Sequence, residues 1–78
     1  MHQLIADLAR SLVDTPEAVT VTSETQGEKT IYYIRVAPGE EGQLIGKNGR
    51  VVRAIREIVK AAARVRGTAV DVQVVKGE

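Results

Sequence analysis

Leu4, Ile5, Leu8, Leu12 and Val13 recur three and four residues apart, so residues 2–13 read as an amphipathic helix. Asp14-Thr15-Pro16 ends it, because proline lacks an amide hydrogen and biases its predecessor away from helix. Residues 18–24, Ala-Val-Thr-Val-Thr-Ser-Glu, alternate around β-branched side chains and predict a strand. Gln26-Gly27-Glu28 supplies turn chemistry. Residues 31–37 then predict a second strand, with Tyr32, Ile34 and Val36 on one face and Tyr33 and Arg35 on the other. A hairpin is the natural pairing. Pro38-Gly39 closes that strand, and residues 40–45 have room only for a short helix. The pattern from Arg50 to Arg66 is helical throughout, and Gly67 caps it. Residues 69–75 set Val70, Val72 and Val74 against Asp71 and Gln73, which predicts a third strand.

The order is therefore α-β-β-α-α-β, an α+β fold in two layers. Strands two and three, joined through a helix pair, are expected to be adjacent and parallel with a right-handed crossover. The result is a three-stranded mixed sheet with the helices on one face, leaving Thr20, Thr22, Tyr33, Arg35, Asp71 and Gln73 toward water. On a helical wheel, Arg50, Arg53, Glu57, Lys60 and Arg64 form a stripe roughly 80° wide, opposite an apolar arc of about 200° around Ala54, Ile55, Ile58, Val59, Ala62 and Val65. That arc is wider than packing on one sheet needs. Small residues such as Ala54, Ala61, Ala62 and Ala63 let another helix approach. Either the helix at 2–13 or a second subunit fits, and both can hold.

Seventy-eight residues suit one domain, and 44% hydrophobic with 27% charged residues is a globular composition. The absence of cysteine excludes disulfides and thiolate metal sites. With no apolar run of membrane-spanning length and no signal-peptide pattern, the expected setting is the cytoplasm. So small a core without staples makes self-association worth expecting. The net charge of +1 hides an asymmetry. Residues 1–45 carry three Lys and Arg against seven Asp and Glu, whereas residues 46–78 carry eight against three. The sign reverses at Gly46, as at an electrostatic binding face.

Gly46-Lys47-Asn48-Gly49 sits at that reversal, leading into the basic helix. Glycines let a ligand approach the backbone, and a helix N-terminus favours phosphate. The bare spacing is not diagnostic, since Gly39-Glu40-Glu41-Gly42 repeats it upstream. There, however, the carboxylates would repel phosphate, and they suit the first turn of a short helix. A Walker loop is excluded, because Glu41 stands where its first glycine belongs and Asn48 where its hydroxyl belongs. The dinucleotide fingerprint fails at Leu44. Catalysis has no players: His2 is the sole histidine, on a terminus expected to fray, and Ser11 and Ser23 lack a base. No metal, cofactor or small-molecule substrate is implied. Two tyrosines without Phe or Trp also argue against base-stacking platforms.

What remains is a helix, a Gly-x-x-Gly turn and a second helix beside a strand. Gly42-Gln-Leu-Ile-Gly-Lys-Asn-Gly-Arg50, continued by residues 54–63, resembles the core of a KH domain, and the element order is similar to the type II KH fold. The whole chain, including Arg35-Val-Ala-Pro38, resembles small bacterial proteins made of a single KH domain, here residues 1–78. That resemblance implies a non-enzymatic, single-stranded RNA-binding protein clamping about four nucleotides. Gly46, Lys47, Asn48 and Gly49 would be the clamp. Ile45 and Val52 would help form an apolar floor for bases, and Arg50 and Arg53 would extend the positive rim. Lys60 and Arg64 read as solvating charges.

The resemblance further implies an RNA chaperone or post-transcriptional regulator linked to cell-envelope growth and division. It would act as a homodimer or with a larger KH-containing protein. The alternative is a protein-interaction module that docks through the long helix, its clamp vestigial.

Overall fold

Residues 1–75 are described by the structure, a computed structural model; Lys76 and Glu78 of the charge count lie outside the described residues. The elements are α1 (His2–Arg10), β1 (Thr20–Gln26), β2 (Lys29–Arg35), α2 (Glu41–Ile45), α3 (Arg50–Arg66) and β3 (Ala69–Val75). Single 3₁₀ turns cover Pro16–Ala18 and Lys47–Gly49. The long helix and last strand keep their expected bounds. The sheet order is β1-β2-β3, with β1 and β2 antiparallel and β2 and β3 parallel, as the crossover requires.

Several boundaries differ from the sequence expectation, and β2 ends at Arg35 and not at residue 37. Helix α1 stops at Arg10, because Leu12 N turns back to Ala9 O at 3.1 Å and the Ser11 hydroxyl donates to Leu8 O at 2.7 Å. This tightened turn still buries Val13, so the apolar spacing outlasts the helix. Strand β1 starts two residues late, since Ala18 N and Val19 N close the 3₁₀ turn on Thr15 O and Pro16 O at 3.1 Å each. The hairpin is tighter than expected. Gln26 pairs with Lys29, and only Gly27-Glu28 form the loop, with Gly27 at φ +64° as a type II′ turn requires.

Val21, Ile34 and Val74 are in register across the three strands, and Tyr32 and Val72 are paired beside them. The helices cover that face. Ile5 and Ala9 of α1, Leu44 of α2, and Ile55, Val59 and Ala63 of α3 close the core over Ile34 and Val72. His2 opens α1, and its ring meets Tyr32 edge-on, with centroids 5.1 Å apart.

Strand β3 is an edge strand, and its middle is shielded. Arg56 Nε donates to Val72 O at 2.9 Å, while Val72 N donates to Asp71 Oδ1 at 2.8 Å. Asp71 is thus half-buried, with Oδ1 3.6 Å from Arg56 Nε, rather than simply facing water. Occupying edge groups with charged side chains blocks unwanted strand pairing. No helix among the described residues is long and apolar enough to cross a membrane.

Candidate nucleic-acid interface

Leu44 is fully buried, so the one-turn helix α2 is pinned to the core and its C-terminus has a fixed place. From there Gly46 N donates to Gly42 O at 2.8 Å, and the chain reverses at Gly46 with φ +75° and ψ +173°. That backbone region belongs essentially to glycine. Space gives a second reason for the residue: a β-carbon on Gly46 would run into Val51 Cγ2 and lie 2.8 Å from Val51 Cβ.

Gly49 N then closes a 3₁₀ turn on Gly46 O at 3.1 Å. Asn48 (φ +57°) and Gly49 (φ +74°) are both left-handed, and α3 starts at Arg50. Asparagine tolerates that conformation better than most residues.

All three cations beside the turn, Lys47, Arg50 and Arg53, are exposed. The third has a different task. Arg53 Nη2 donates to Asn48 O, and its Nε donates to Gly49 O at 3.4 Å. It is therefore a brace on the loop as well as part of the positive rim. Of the expected apolar floor, Ile45 is 39% exposed and borders the turn, whereas Val52 is 8% exposed and faces inward. The loop and Ile45, Lys47, Arg50 and Arg53 come together; Val52 has little surface to offer.

The upstream glycine pair has another geometry. Glu40 accepts from the amide and hydroxyl of Thr15, and Gln43 exchanges two 3.0 Å hydrogen bonds with Asp14. Glu41 accepts from Gly39 N at 3.2 Å. These groups tie α2 to the α1–β1 connection, so the acidic pair is structural and not simply displayed to solvent.

Three contributions escaped the sequence reading. Val51 excludes a side chain at Gly46, and Leu44 anchors the helix before the turn. Lys60 and Arg64, read as solvating, share a cleft of about 420 Å³ with Lys29 of β2. The basic half of the charge split did point to α3, but Lys29 comes from the acidic half.

The apolar arc of α3 also divides. Ile55, Val59 and Ala63 face the sheet, whereas Ala54, Ile58, Ala61 and Val65 remain exposed, Ile58 at 47% and Val65 at 90%. Helix α1 does not cover that strip. It lies about 120° around the helix from the buried line.

Comparison with known proteins agrees with this fold. Residues 2–74 match the family model described as KhpA/KhpB, KH domain. The chain is 41% identical over 75 residues to the RNA-binding protein KhpA of Clostridium acetobutylicum, covering 96% of this chain and 100% of that protein. It is 44% identical over 77 residues to the RNA-binding protein KhpA of Aquifex aeolicus, covering 97% and 96%. Among solved structures, the crystal structure of Aquifex aeolicus Era Y63A bound to GDP·AlF4⁻ superposes with a TM-score of 0.66 at 18% identity. That match covers 96% of this chain and 30% of the longer one, and it carries the fold alone.

Proposed function

The chain belongs to the KhpA/KhpB family of KH domains, and from that membership we propose that it binds single-stranded RNA without catalysis, gripping the sugar–phosphate backbone at Gly46-Lys47-Asn48-Gly49. One observation carries the reading: Arg53 occupies the carbonyls of Asn48 and Gly49. Loop acceptors that would repel a phosphate are thereby engaged, while the exposed Lys47 and Arg50 supply charge beside a turn bare of bulky side chains. Phosphate oxygens would be met by the Lys47 side chain and the amides of Lys47 and Asn48. Ile45 offers an aliphatic surface to a base.

Neutralising about three phosphates gives a log–log salt slope near −2 for a single strand. Replacing Lys47 and Asn48 together by aspartate tests the clamp. Aspartate also tolerates a left-handed backbone, so the double variant is expected to fold and to lose its shift of single-stranded RNA. Unchanged RNA binding would overturn the proposal. If the clamp were vestigial, the unmodified protein would bind no RNA even at low salt.

The strip of Ala54, Ile58, Ala61 and Val65 supports self-association through α3, with the alanines allowing close helix approach. A homodimer would present two clamps and raise affinity by avidity. The same strip suits a heterodimer with a larger KH-containing protein of the KhpB (Jag) type. Acting as an RNA chaperone or post-transcriptional regulator in the cytoplasm, with effects on the cell envelope, belongs to this proposal. Light scattering at high concentration is expected to give a dimer for the unmodified chain and a monomer for Ile58→Asp. A monomer for both would refute self-association.

A further inference from the structure

A clamp at Gly46–Gly49 accounts for only the first turn of α3, yet cationic side chains continue far beyond it. Arg53, Lys60 and Arg64 share the exposed stripe of the helix with a single carboxylate, Glu57, and Arg56 lies between that stripe and the free edge of β3. At the far end, Lys60 and Arg64 of α3 meet Lys29, the first residue of β2, around the cleft of about 420 Å³. Thr68, whose hydroxyl donates to Ala63 O at 3.3 Å, and the exposed Ala69 stand at its rim, while Ala63 and Val70 beneath it are buried. Among the described residues no carboxylate lines it, and none of the three cations forms an ion pair.

Gathering three like charges around a concave surface is unfavourable in isolation and is relieved by an anion. The rise from Gly49 to Arg64 is roughly 22 Å, so the loop and the cleft cannot serve the same phosphate. A concave cationic wall is the chemistry that receives the phosphates of a nucleic-acid strand.

We infer that the cleft of Lys29, Lys60 and Arg64 is a second RNA subsite, which holds phosphates of the same strand beyond the nucleotides at the loop. This rests on the clamp reading and extends it: the strand follows α3 alongside the β3 edge. Arg56 borders its path, its charge partly offset by Asp71 at 3.6 Å. The role of the cleft is general to RNA of sufficient length, because phosphate contacts carry no base code.

The test is amide-resolved NMR titration with tetrauridylate and with octauridylate, repeated on the triple variant Lys29→Gln, Lys60→Gln, Arg64→Gln. Tetrauridylate is expected to shift the amides of residues 45–53 only. Octauridylate is expected to shift these and also the amides of Ala63, Thr68, Ala69 and Val70. The triple variant should bind tetrauridylate unchanged, which also reports that it is folded. Its affinity for octauridylate should fall roughly tenfold at low salt, with a log–log salt slope flatter by roughly 1.4 for two phosphates.

If octauridylate moves only residues 45–53, or the triple variant binds it as well as the unmodified chain, the second subsite is overturned while the clamp stands. If neither oligonucleotide moves residues 45–53, the clamp reading itself falls and this inference with it.

Discussion

Gly46→Ala is expected to cripple the loop, whereas Gly49→Ala should do far less damage. At Gly46 two costs coincide. The conformation at φ +75° and ψ +173° is worth about 1–3 kcal/mol against any other residue. The new methyl must also displace Val51, whose β-carbon would lie 2.8 Å away and whose amide nitrogen would lie 3.0 Å away. Val51 N is backbone at the start of α3 and has no freedom to swing aside. Overpacking of this kind adds about 1–3 kcal/mol.

At Gly49 only a left-handed backbone opposes alanine, at about 1–2 kcal/mol, and the nearest atom to the added carbon is Arg53 Nε at 4.0 Å. Urea denaturation should therefore rank Gly46→Ala clearly below Gly49→Ala in stability. RNA titration should find binding abolished in the first and reduced in the second. Equal losses in both measurements would mean that backbone conformation alone, without the Val51 contact, sets the requirement for glycine.

Ile34→Ala is expected to consume most of the stability of the domain. Ile34 is fully buried on the central strand, in register with Val21 on one side and Val74 on the other, beneath the helices. Removing its outer carbons costs about 2–5 kcal/mol, because close neighbours on three elements cannot all collapse into the space. For 78 residues the total stability is only roughly 4–12 kcal/mol.

Ile58→Ala is the matched control. The same substitution on the exposed strip should change the unfolding free energy of a monomer by no more than about 0.5 kcal/mol. Denaturant melts at low protein concentration should separate the two variants by more than 2 kcal/mol as an order of magnitude. Similar losses would contradict the assignment of Ile34 to the core. A concentration-dependent loss confined to Ile58→Ala would instead report its place in a subunit contact.

The local pattern carried much of the fold because periodicity is a short-range property. Alternation at Val70, Val72 and Val74 and the unbroken helical spacing from Arg50 to Arg66 gave β3 and α3 their bounds. It failed where hydrogen bonds rather than side-chain spacing end an element. The Ser11 hydroxyl on Leu8 O and the turn at Pro16–Ala18 left no trace in the apolar pattern. The loop was visible too, through the charge reversal at Gly46 and the helices on either side. Less visible was what each neighbour does. Arg53 was expected on the rim and is also a brace, and Val52 was expected beside the bases and is buried.

The sequence by itself determined the element order, the parallel pairing of β2 with β3 and the family. The order and the pairing follow from spacing and turn chemistry read along one dimension, and the family from the resemblance carried by residues 42–63. Only the tertiary structure decided that Glu40 and Gln43 fasten α2 to Thr15 and Asp14, across separations of 25 and 29 residues. It alone brought Lys29 to Lys60 and Arg64, and it split one apolar arc into a buried line and an uncovered strip. The physical reason is the same in each case. A side chain's partners across the fold are set by how helices seat on a twisted sheet, and that seating places residues distant in sequence side by side.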